Sequence, residues 1–251
     1  MVVVAHGKDT QAVLNGILWV LGTGAQWREL PKKYPPYQTC HRRFQQWVWE
    51  DKLGILRVLA EELHTRGKLE VEEAFIDASF TGVKKRGGIA VGPTKRGKGT
   101  KIIALADDHS LPLAVNIESA SPHESQLVEG VLGQSFLDTL PARLIGDKAY
   151  DSDRWGRDLA QRYGITMIAP HRGERREPTQ DGRSLRRYRR RWRVERLFAR
   201  LHYFRRLVIR WEYHAENFLG MVRLGCIKIL LRRVFRSERR NIRLAAMRPM
   251  R

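Results

Sequence analysis

The segment Ala74-Phe75-Ile76-Asp77 is a short apolar run that ends in a carboxylate. Leu144-Ile145-Gly146-Asp147 has the same pattern farther along the chain. Short apolar runs bounded by polar residues are typical of buried strands. We therefore interpret both segments as strands of one sheet, with Asp77 and Asp147 directly after the strand ends.

A third acid, Glu195, lies in the arginine-dense stretch from Tyr188 to Arg196. On a helical projection of about 100° per residue with Glu195 at zero, Tyr188 falls at about +20°, Arg191 at about −40° and His202 at about −20°. These four side chains are predicted to share one polar face. Except for Arg190, the side toward the sheet is predicted to be apolar and to consist of Val194, Leu197, Leu201 and Phe204. The alternative is a solvated basic helix in which the alignment arises by chance.

Three carboxylates from two strand ends and a helix form a ligand set for divalent metal ions. Two Mg²⁺ ions about 3.5–4 Å apart neutralise a reacting phosphate and activate its nucleophile, and hard oxygen ligands hold them. Asp77 is predicted to bridge the two ions, with Asp147 and Glu195 each holding one. The alternative for a single acid after a strand is a turn or cap role. Asp151 and Asp153 compete for the second ligand position, and we favour a turn role for Asp151.

The charge of the chain favours a polyanionic partner. Its 251 residues include 47 Lys and Arg against 27 Asp and Glu, a formal net charge of +20. Such a field favours nucleic acid, although solubility and RNA packing of a ribosomal type are alternatives. Cys40 and Cys226 are too few for a disulfide framework, which predicts a reduced cytoplasm. The apolar stretch 218–231 contains Arg223 and Lys228, so it predicts a core helix of a soluble protein and no membrane span.

Residues 9–66 have a helical pattern. One helix is predicted to end at Gly22, a second to be capped by Thr39 and a third to span Ile55 to Leu63. Arg42 and Arg43 on the second helix suggest a helix-turn-helix-like DNA module. A plain helical subdomain with two solvated arginines is the alternative.

After residue 70 the pattern changes to alternating strands and helices. The predicted elements are a strand at 71–76, a loop without periodicity at 82–99, a hairpin of 101–106 and 111–117 around Asp107 to Ser110, a helix capped by Ser121, a strand at 144–146, a helix from Ser152 to Tyr163, a strand at 165–169, and helices at 184–204 and 215–236. This order predicts an α/β fold, an RNase H-like mixed sheet flanked by helices, with a small N-terminal all-helical domain. The predicted divisions are a DNA-binding domain at 1–68, a catalytic domain at 69–236 and a basic tail at 237–251.

Several motifs together resemble the DDE transposases of bacterial insertion sequences, specifically insertion-sequence family five, over nearly the whole chain. They are Val13-Leu14-Asn15-Gly16-Ile17-Leu18-Trp19-Val20-Leu21, Thr23-Gly24-Ala25-Gln26-Trp27-Arg28-Glu29-Leu30-Pro31, Phe75-Ile76-Asp77-Ala78-Ser79, Thr94-Lys95-Arg96-Gly97-Lys98-Gly99-Thr100-Lys101 and Gly146-Asp147-Lys148-Ala149-Tyr150-Asp151-Ser152. The family signature of Tyr, Arg, Glu and Lys falls on Tyr188, Arg191 and Glu195, with His202 in place of the lysine.

The resemblance implies a catalytic domain that uses Mg²⁺ or Mn²⁺ to cut double-stranded DNA at inverted-repeat ends. It implies that the freed 3′-hydroxyl is then joined to target DNA, by a homodimer on DNA in a bacterial, nucleoid-associated setting. Tyr188 and Arg191 are then expected to contact end phosphates. His202 carries less charge at pH 7 than a lysine, which predicts weaker end binding. Further DNA contacts are assigned to Arg42, Arg43, Lys95, Arg96 and Lys98.

Two other functions stay open. Family members usually carry another helix before Val13, which suggests a truncated, inactive relic that occupies inverted repeats. The second alternative is an RNase H-type nuclease, for which an RNA–DNA hybrid would be the preferred substrate. The complete set of acids disfavours the relic, and the basic N-terminal module disfavours the nuclease.

Overall fold

The computed structural model describes residues 9–84, 88–94, 97–171, 173 and 182–246 of the chain, without the side chains of 124–125 and 236–246. Its helices are α1 (Thr10–Thr23), α2 (Tyr37–Trp49), α3 (Ile55–Thr65), α4 (Val128–Leu132), α5 (Asp153–Tyr163), α6 (Gly182–Leu185), α7 (Trp192–His202) and α8 (Ala215–Ala246). Its strands are β1 (Glu73–Val83), β2 (Gly92–Thr94), β3 (Gly97–Ala106), β4 (Pro112–Ser119), β5 (Arg143–Ile145), β6 (Thr166–Ile168) and β7 (Ile209–Arg210).

The strands form one mixed sheet around β1. β1 pairs antiparallel with β3 and parallel with β5, and β5 pairs parallel with β6. β4 and β2 both pair with β3, and β7 pairs with the end of β1. The predicted fold, an RNase H-like mixed sheet flanked by helices with further helices at the N-terminus, is confirmed.

The N-terminal helices pack on the rest of the chain. α3 packs against α8, and α1 packs against a 3₁₀ turn at Arg205–Leu207. Buried residues from Val13 to Leu230 form one contiguous hydrophobic cluster. The division at residue 68 stays a prediction, since helices before it and elements after it share this core.

Local signals placed α5 and the β3–β4 hairpin where the structure has them. Ser152 Oγ accepts a hydrogen bond from the Trp155 amide at the start of α5, and Gly164 ends the helix in the left-handed conformation. In the hairpin turn, Asp107 Oδ1 accepts hydrogen bonds from the amides of His109 and Leu111, at 2.9 and 2.7 Å. Side chains that bond to backbone groups a few residues away can be read from sequence alone.

Three other helix starts and ends differ from the prediction. α1 ends at Thr23, because Gly24 takes a φ of +73° and its amide bonds to the Val20 carbonyl. α2 begins at Tyr37, so that Thr39 lies in the first turn and is not the cap. The helix expected at Ser121 begins as a 3₁₀ turn, Glu124–Leu127, followed by α4.

The loop predicted at residues 82–99 is wrong in its described part. β1 continues to Val83, and β2 and the start of β3 form a hairpin extension. Arg210, fully buried, supports this extension by donating hydrogen bonds to the carbonyls of Ile89 and Ala90 and to Thr100 Oγ1, at 3.0, 3.2 and 2.8 Å. Polar contacts in place of apolar packing explain why the segment lacks hydrophobic periodicity.

The single helix predicted at 184–204 is interrupted. α6 is followed by a 3₁₀ turn, Arg186–Arg190, and then by α7. Arg187 Nε bonds to Glu73 at 2.6 Å, and Arg190 bonds to Glu73 and, at 3.0 Å, to Asp108. Arg190 therefore fits on the otherwise apolar side of the helix. Its guanidinium lies over the Phe75 ring, and Glu73 and Asp108 neutralise its charge.

The last helix is longer than predicted. α8 continues to Ala246, past the predicted end at Arg236, so its backbone is helical through most of the segment assigned to a basic tail. Within the part of the chain that the structure describes, no helix combines the length and the apolar character that crossing a membrane requires.

Candidate active site: three carboxylates around Arg191

The register of the sheet brings Asp77 and Asp147 to neighbouring positions. Phe75 of β1 is paired with Ile145 of the parallel strand β5. Asp77 and Asp147 each follow two residues later, so both lie beyond the same edge of β5. The prediction that Asp77 ends its strand is wrong, because pairing with β3 carries β1 past it to Val83.

Arg191 connects Asp77 to Glu195. Its Nη1 lies 2.7 Å from Asp77 Oδ2, and its Nη2 lies 2.6 Å from Glu195 Oε1. Glu195 is one helical turn after Arg191, the spacing at which side chains on a helix meet. The Asp77 side chain is 18% exposed and that of Glu195 is 54% exposed, so the pair spans from the sheet to solvent.

The charges of the neighbouring side chains shift the pKa values of Asp77 and Arg191. Burial raises the pKa of Asp77 above its usual value, and the like charge of Asp147 raises it further. The hydrogen bond from the Ala78 amide and the charge of Arg191 lower the pKa, but by less. Burial lowers the pKa of Arg191, but Asp77, Glu195 and Asp147 more than compensate, so that it lies above its usual value. Asp147 is therefore close enough to act on both groups.

Asp147 is held by the turn that follows β5. Its Oδ1 accepts a hydrogen bond from the Ala149 amide at 2.8 Å, and it precedes the 3₁₀ turn Lys148–Tyr150. The buried Tyr150 ring folds back over Gly146, where a Cβ atom would lie 2.6 Å from Tyr150 Cδ2 and 2.8 Å from Met167 Cε. Gly146 thus permits the turn that presents Asp147.

We expect Gly146→Ala to lower the free energy of unfolding by about 1–3 kcal/mol, because the added methyl group overlaps a buried ring. Urea denaturation measures the loss. The matched control is Gly156→Ala on α5, where a Cβ atom meets nothing within 4 Å. That change should stabilise the protein by up to about 1 kcal/mol through helix propensity. Equal stabilities of the two variants would show that Tyr150 does not require a glycine at 146.

His202 lies farther along the same side of α7. Its Nε2 is 3.3 Å from Ser79 Oγ, and Ser79 is two residues after Asp77 on the same face of β1. Burial lowers the pKa of His202, so the ring is neutral at pH 7. Ser79 is not among the predicted site residues, although a spacing of two from Asp77 on a strand predicts that both lie on one face.

Tyr188 lies beside Arg191, the residue that contacts Asp77 and Glu195. The guanidinium carbon of Arg191 lies 6.0 Å from the centre of the Tyr188 ring. The helical projection does not apply to Tyr188, because it falls in the 3₁₀ turn Arg186–Arg190, where residues advance by about 120°. Its prediction as a DNA contact stays untested.

The other predicted DNA contacts lie on separate elements. Arg42 is exposed on α2, and Arg43 Nη2 lies 3.5 Å from Thr10 Oγ1 of α1. Lys98 is exposed near the start of β3, whereas Lys95 and Arg96 lie outside the described residues. Among the described residues, no hydrogen bond or ion pair joins Arg42, Arg43 or Lys98 to the three acids.

Asp151 and Asp153, the competing ligands, have other surroundings. Asp151 is nearly buried, and its Oδ1 is 3.2 Å from His171 Nδ1, a contact that joins the loops after β5 and β6. Asp153 is the first residue of α5 and is exposed. These positions fit the structural role favoured for Asp151.

The three acids suit divalent metal ions by chemistry, because carboxylate oxygens are hard ligands and their charges repel without a cation. In the described part of the chain, no group of three or more His, Cys, Asp and Glu side chains is placed to hold a metal ion directly. In this structure the cation in contact with Asp77 and Glu195 is the Arg191 guanidinium.

Two family models match the chain. Residues 72–229 match the family described as "Transposase DDE domain". Residues 5–55 match "Putative transposase of IS4/5 family". The first match runs from β1 into the first half of α8 and includes all three acids.

Curated relatives agree with the family models. "Putative transposase for insertion sequence element IS402" of Burkholderia cepacia is 32% identical over 157 residues, which cover 58% of this chain and 70% of that protein. "Putative transposase for insertion sequence element IS6501" of Brucella ovis is 31% identical over 140 residues, which cover 53% of this chain and 98% of that protein.

A solved structure is similar in fold. The piggyBac transposase in a synaptic complex with hairpin DNA matches with a TM-score of 0.55 and 11% sequence identity. The match covers 91% of this chain and 66% of that chain, just under two thirds of its length. At this identity the likeness concerns the fold alone.

Proposed function

The chain belongs to the family of DDE transposase domains, and on that premise we propose that it cuts the ends of an insertion sequence and inserts them into target DNA. Family membership supports transposition. The reactions proposed here are cleavage of phosphodiesters at terminal inverted repeats and transfer of the freed 3′-hydroxyl. Mg²⁺ is the proposed cofactor, and Mn²⁺ can substitute for it.

The observation that carries this proposal is the set of contacts at Arg191. One guanidinium bonds to both Asp77 and Glu195, and the charge of Asp147 acts on Asp77 and Arg191. Asp77, Asp147 and Glu195 would hold the divalent ions through their carboxylate oxygens. Bound divalent ions neutralise the reacting phosphate and activate the attacking oxygen.

Arg191 would change partners when DNA binds. A guanidinium donates to carboxylate and phosphate oxygens with the same bidentate geometry. We therefore assign Arg191, together with Tyr188, to a phosphate of the transposon end. This exchange would release Asp77 and Glu195 for metal binding.

The chemistry is two in-line displacements at phosphorus. Water attacks the phosphodiester at the end of the element, the bond from phosphorus to the 3′-oxygen breaks, and a 3′-hydroxyl is released. That hydroxyl then attacks a phosphodiester of the target, where a new bond to phosphorus forms as the bond to the target's own 3′-oxygen breaks. Arg42 and Arg43 on α2, with Lys95, Arg96 and Lys98, would bind DNA outside the reacting phosphates. Cutting paired ends requires at least a homodimer.

Strand-specific nicking tests the proposed function. The substrate is a duplex from the DNA that flanks the coding region, with its terminal inverted repeat labelled on each strand in turn. We expect nicks at the repeat end with Mg²⁺ and none with EDTA. Binding without metal-dependent nicking would support the inactive relic, and a preference for an RNA–DNA hybrid would support the nuclease.

We expect His202→Lys to bind the transposon end more tightly than the wild type, because it adds a cation where burial keeps the ring neutral. One added phosphate contact should steepen the slope of log affinity against log salt concentration by about 0.9. Fluorescence anisotropy at several salt concentrations measures it. His202→Gln is the uncharged control, and a lysine variant that binds no better than this control would contradict the assignment.

A further inference from the structure

A cavity of about 500 Å³ lies between α7, α8 and the β3–β4 turn. We call it the arginine cavity. Its polar and aromatic lining consists of His109, Arg196, Arg200, Tyr203, Arg232 and Arg233. None of the described residues that line it is acidic. Four arginine side chains converge on one cavity, and this positive charge favours an anion.

Three of the arginines lack a counter-charge among the side chains that the structure describes. Arg196, Arg232 and Arg233 make no ion pair with a described carboxylate, and Arg233 Nε is buried without a hydrogen-bond partner among the described residues. Nearer the sheet, Arg187, Arg190 and Arg193 pair with Glu73 and Asp108. The arginine cavity instead gathers in one place three arginines that have no described carboxylate as a partner.

The positive charge is also crowded. Lys228 lies outside the lining but is affected by its charge, since burial lowers the pKa of Lys228 and the neighbouring charge of Arg232 lowers it further. Like charges held together in one cleft raise the local concentration of anions. The backbone of α8 continues past the cavity, and the sequence there adds four more arginines, at 236, 239, 240 and 243.

The arginine cavity is next to the acids but on another side of α7. Arg196 directly follows Glu195, about 100° around the helix. Tyr203, which is 77% exposed, follows Glu195 by eight residues, a rise of about 12 Å. DNA advances about 3.4 Å per nucleotide along one strand, so this reach corresponds to three or four nucleotides.

We propose that the arginine cavity binds the sugar–phosphate backbone of the DNA that is cut, about three or four nucleotides from the reacting phosphate. This inference rests on the proposed function and adds a second phosphate site to it. Arg196, Arg232 and Arg233 donate to phosphate oxygens, and the exposed Tyr203 lies at the rim, where tyrosines commonly contact DNA phosphates. The site positions the strand and carries no base specificity.

The test measures DNA affinity in EDTA, so that its result does not depend on cleavage. The double variant Arg196→Gln and Arg232→Gln removes two exposed, unpaired charges and should fold normally. We expect its slope of log affinity against log salt concentration to fall by up to about 1.8, about 0.9 for each lost phosphate contact. Arg154→Gln on α5, also exposed and without an ion pair to a described residue, is the matched control and should keep the wild-type slope.

A second arm locates the contact. A neutral methylphosphonate placed three or four nucleotides from the cut should weaken wild-type binding and leave the double variant unaffected. Inorganic phosphate and ATP are titrated against both proteins as alternative anions. A double variant with the same slope as Arg154→Gln overturns the proposal, as does a variant that loses only ATP binding. Failure of wild-type nicking with Mg²⁺ would reject the proposed function alone.

Discussion

Asp77→Asn is expected to lower the rate of Mg²⁺-dependent nicking by about 10³-fold or more, since it removes one of the three carboxylates proposed to hold the metal ions. A loss of several kcal/mol of charge stabilisation corresponds to this factor at about 1.4 kcal/mol per tenfold. Asp147→Asn and Glu195→Gln are expected to abolish nicking as well, while binding of the end in EDTA stays near wild type. Single-turnover nicking and anisotropy measure the two quantities.

The stability of Asp77→Asn separates catalysis from folding. Burial raises the folded pKa of Asp77 above its unfolded value, so its contribution to stability is present at low pH and is lost as pH rises through the folded pKa. At pH 7 burial of the carboxylate charge therefore lowers the free energy of unfolding, and the neutral amide of the variant removes this loss. The urea midpoint should therefore equal or exceed that of wild type. Asp138→Asn, whose side chain is 93% exposed, is the control and should nick normally. Normal nicking by Asp77→Asn would remove the basis of the catalytic proposal.

Arg206→Met is expected to cost about 3–5 kcal/mol of unfolding free energy, because it leaves Glu212 buried without its partner. The Arg206 and Glu212 side chains are each 4% exposed, and their closest charged atoms are 2.8 Å apart. Arg206 Nη1 also donates to the Ala25 carbonyl at 2.8 Å, which ties the segment after α1 to the turn before β7. Urea denaturation measures the loss.

A double variant isolates the ion pair. Arg206→Met with Glu212→Leu removes both charges together, and a buried pair replaced by apolar groups is often neutral in stability. We expect it to recover most of the loss, apart from the bond to Ala25. If the double variant is as unstable as Arg206→Met alone, the cost comes from packing or from the Ala25 contact and not from an unpaired charge.

The positions of the candidate site residues could be predicted where a short segment of the chain carries a local pattern. Asp77 and Asp147 follow apolar strand segments, and Arg191 and Glu195 share a helix face at a spacing of four. Parallel pairing of β1 with β5 then brings the two strand acids together. The helical position of Tyr188 was wrong because ion pairs from Arg187 and Arg190 to Glu73 hold that stretch as a 3₁₀ turn.

Local sequence determined the apolar parts of β1, β3, β4, β5 and β6, the hairpin turn at Asp107 and the capped helix α5, because hydrophobic period, caps and turn residues act between near neighbours. Tertiary structure decided which arginines are buried, paired or left without a counter-charge. Arg210 supports a hairpin extension more than a hundred positions away, Arg191 joins a strand to a helix, and Arg232 faces a cavity. The chain has 47 basic residues, and the sequence alone does not distinguish their roles. Each residue type fixes its own charge, but the packing of distant segments decides which group lies beside that charge.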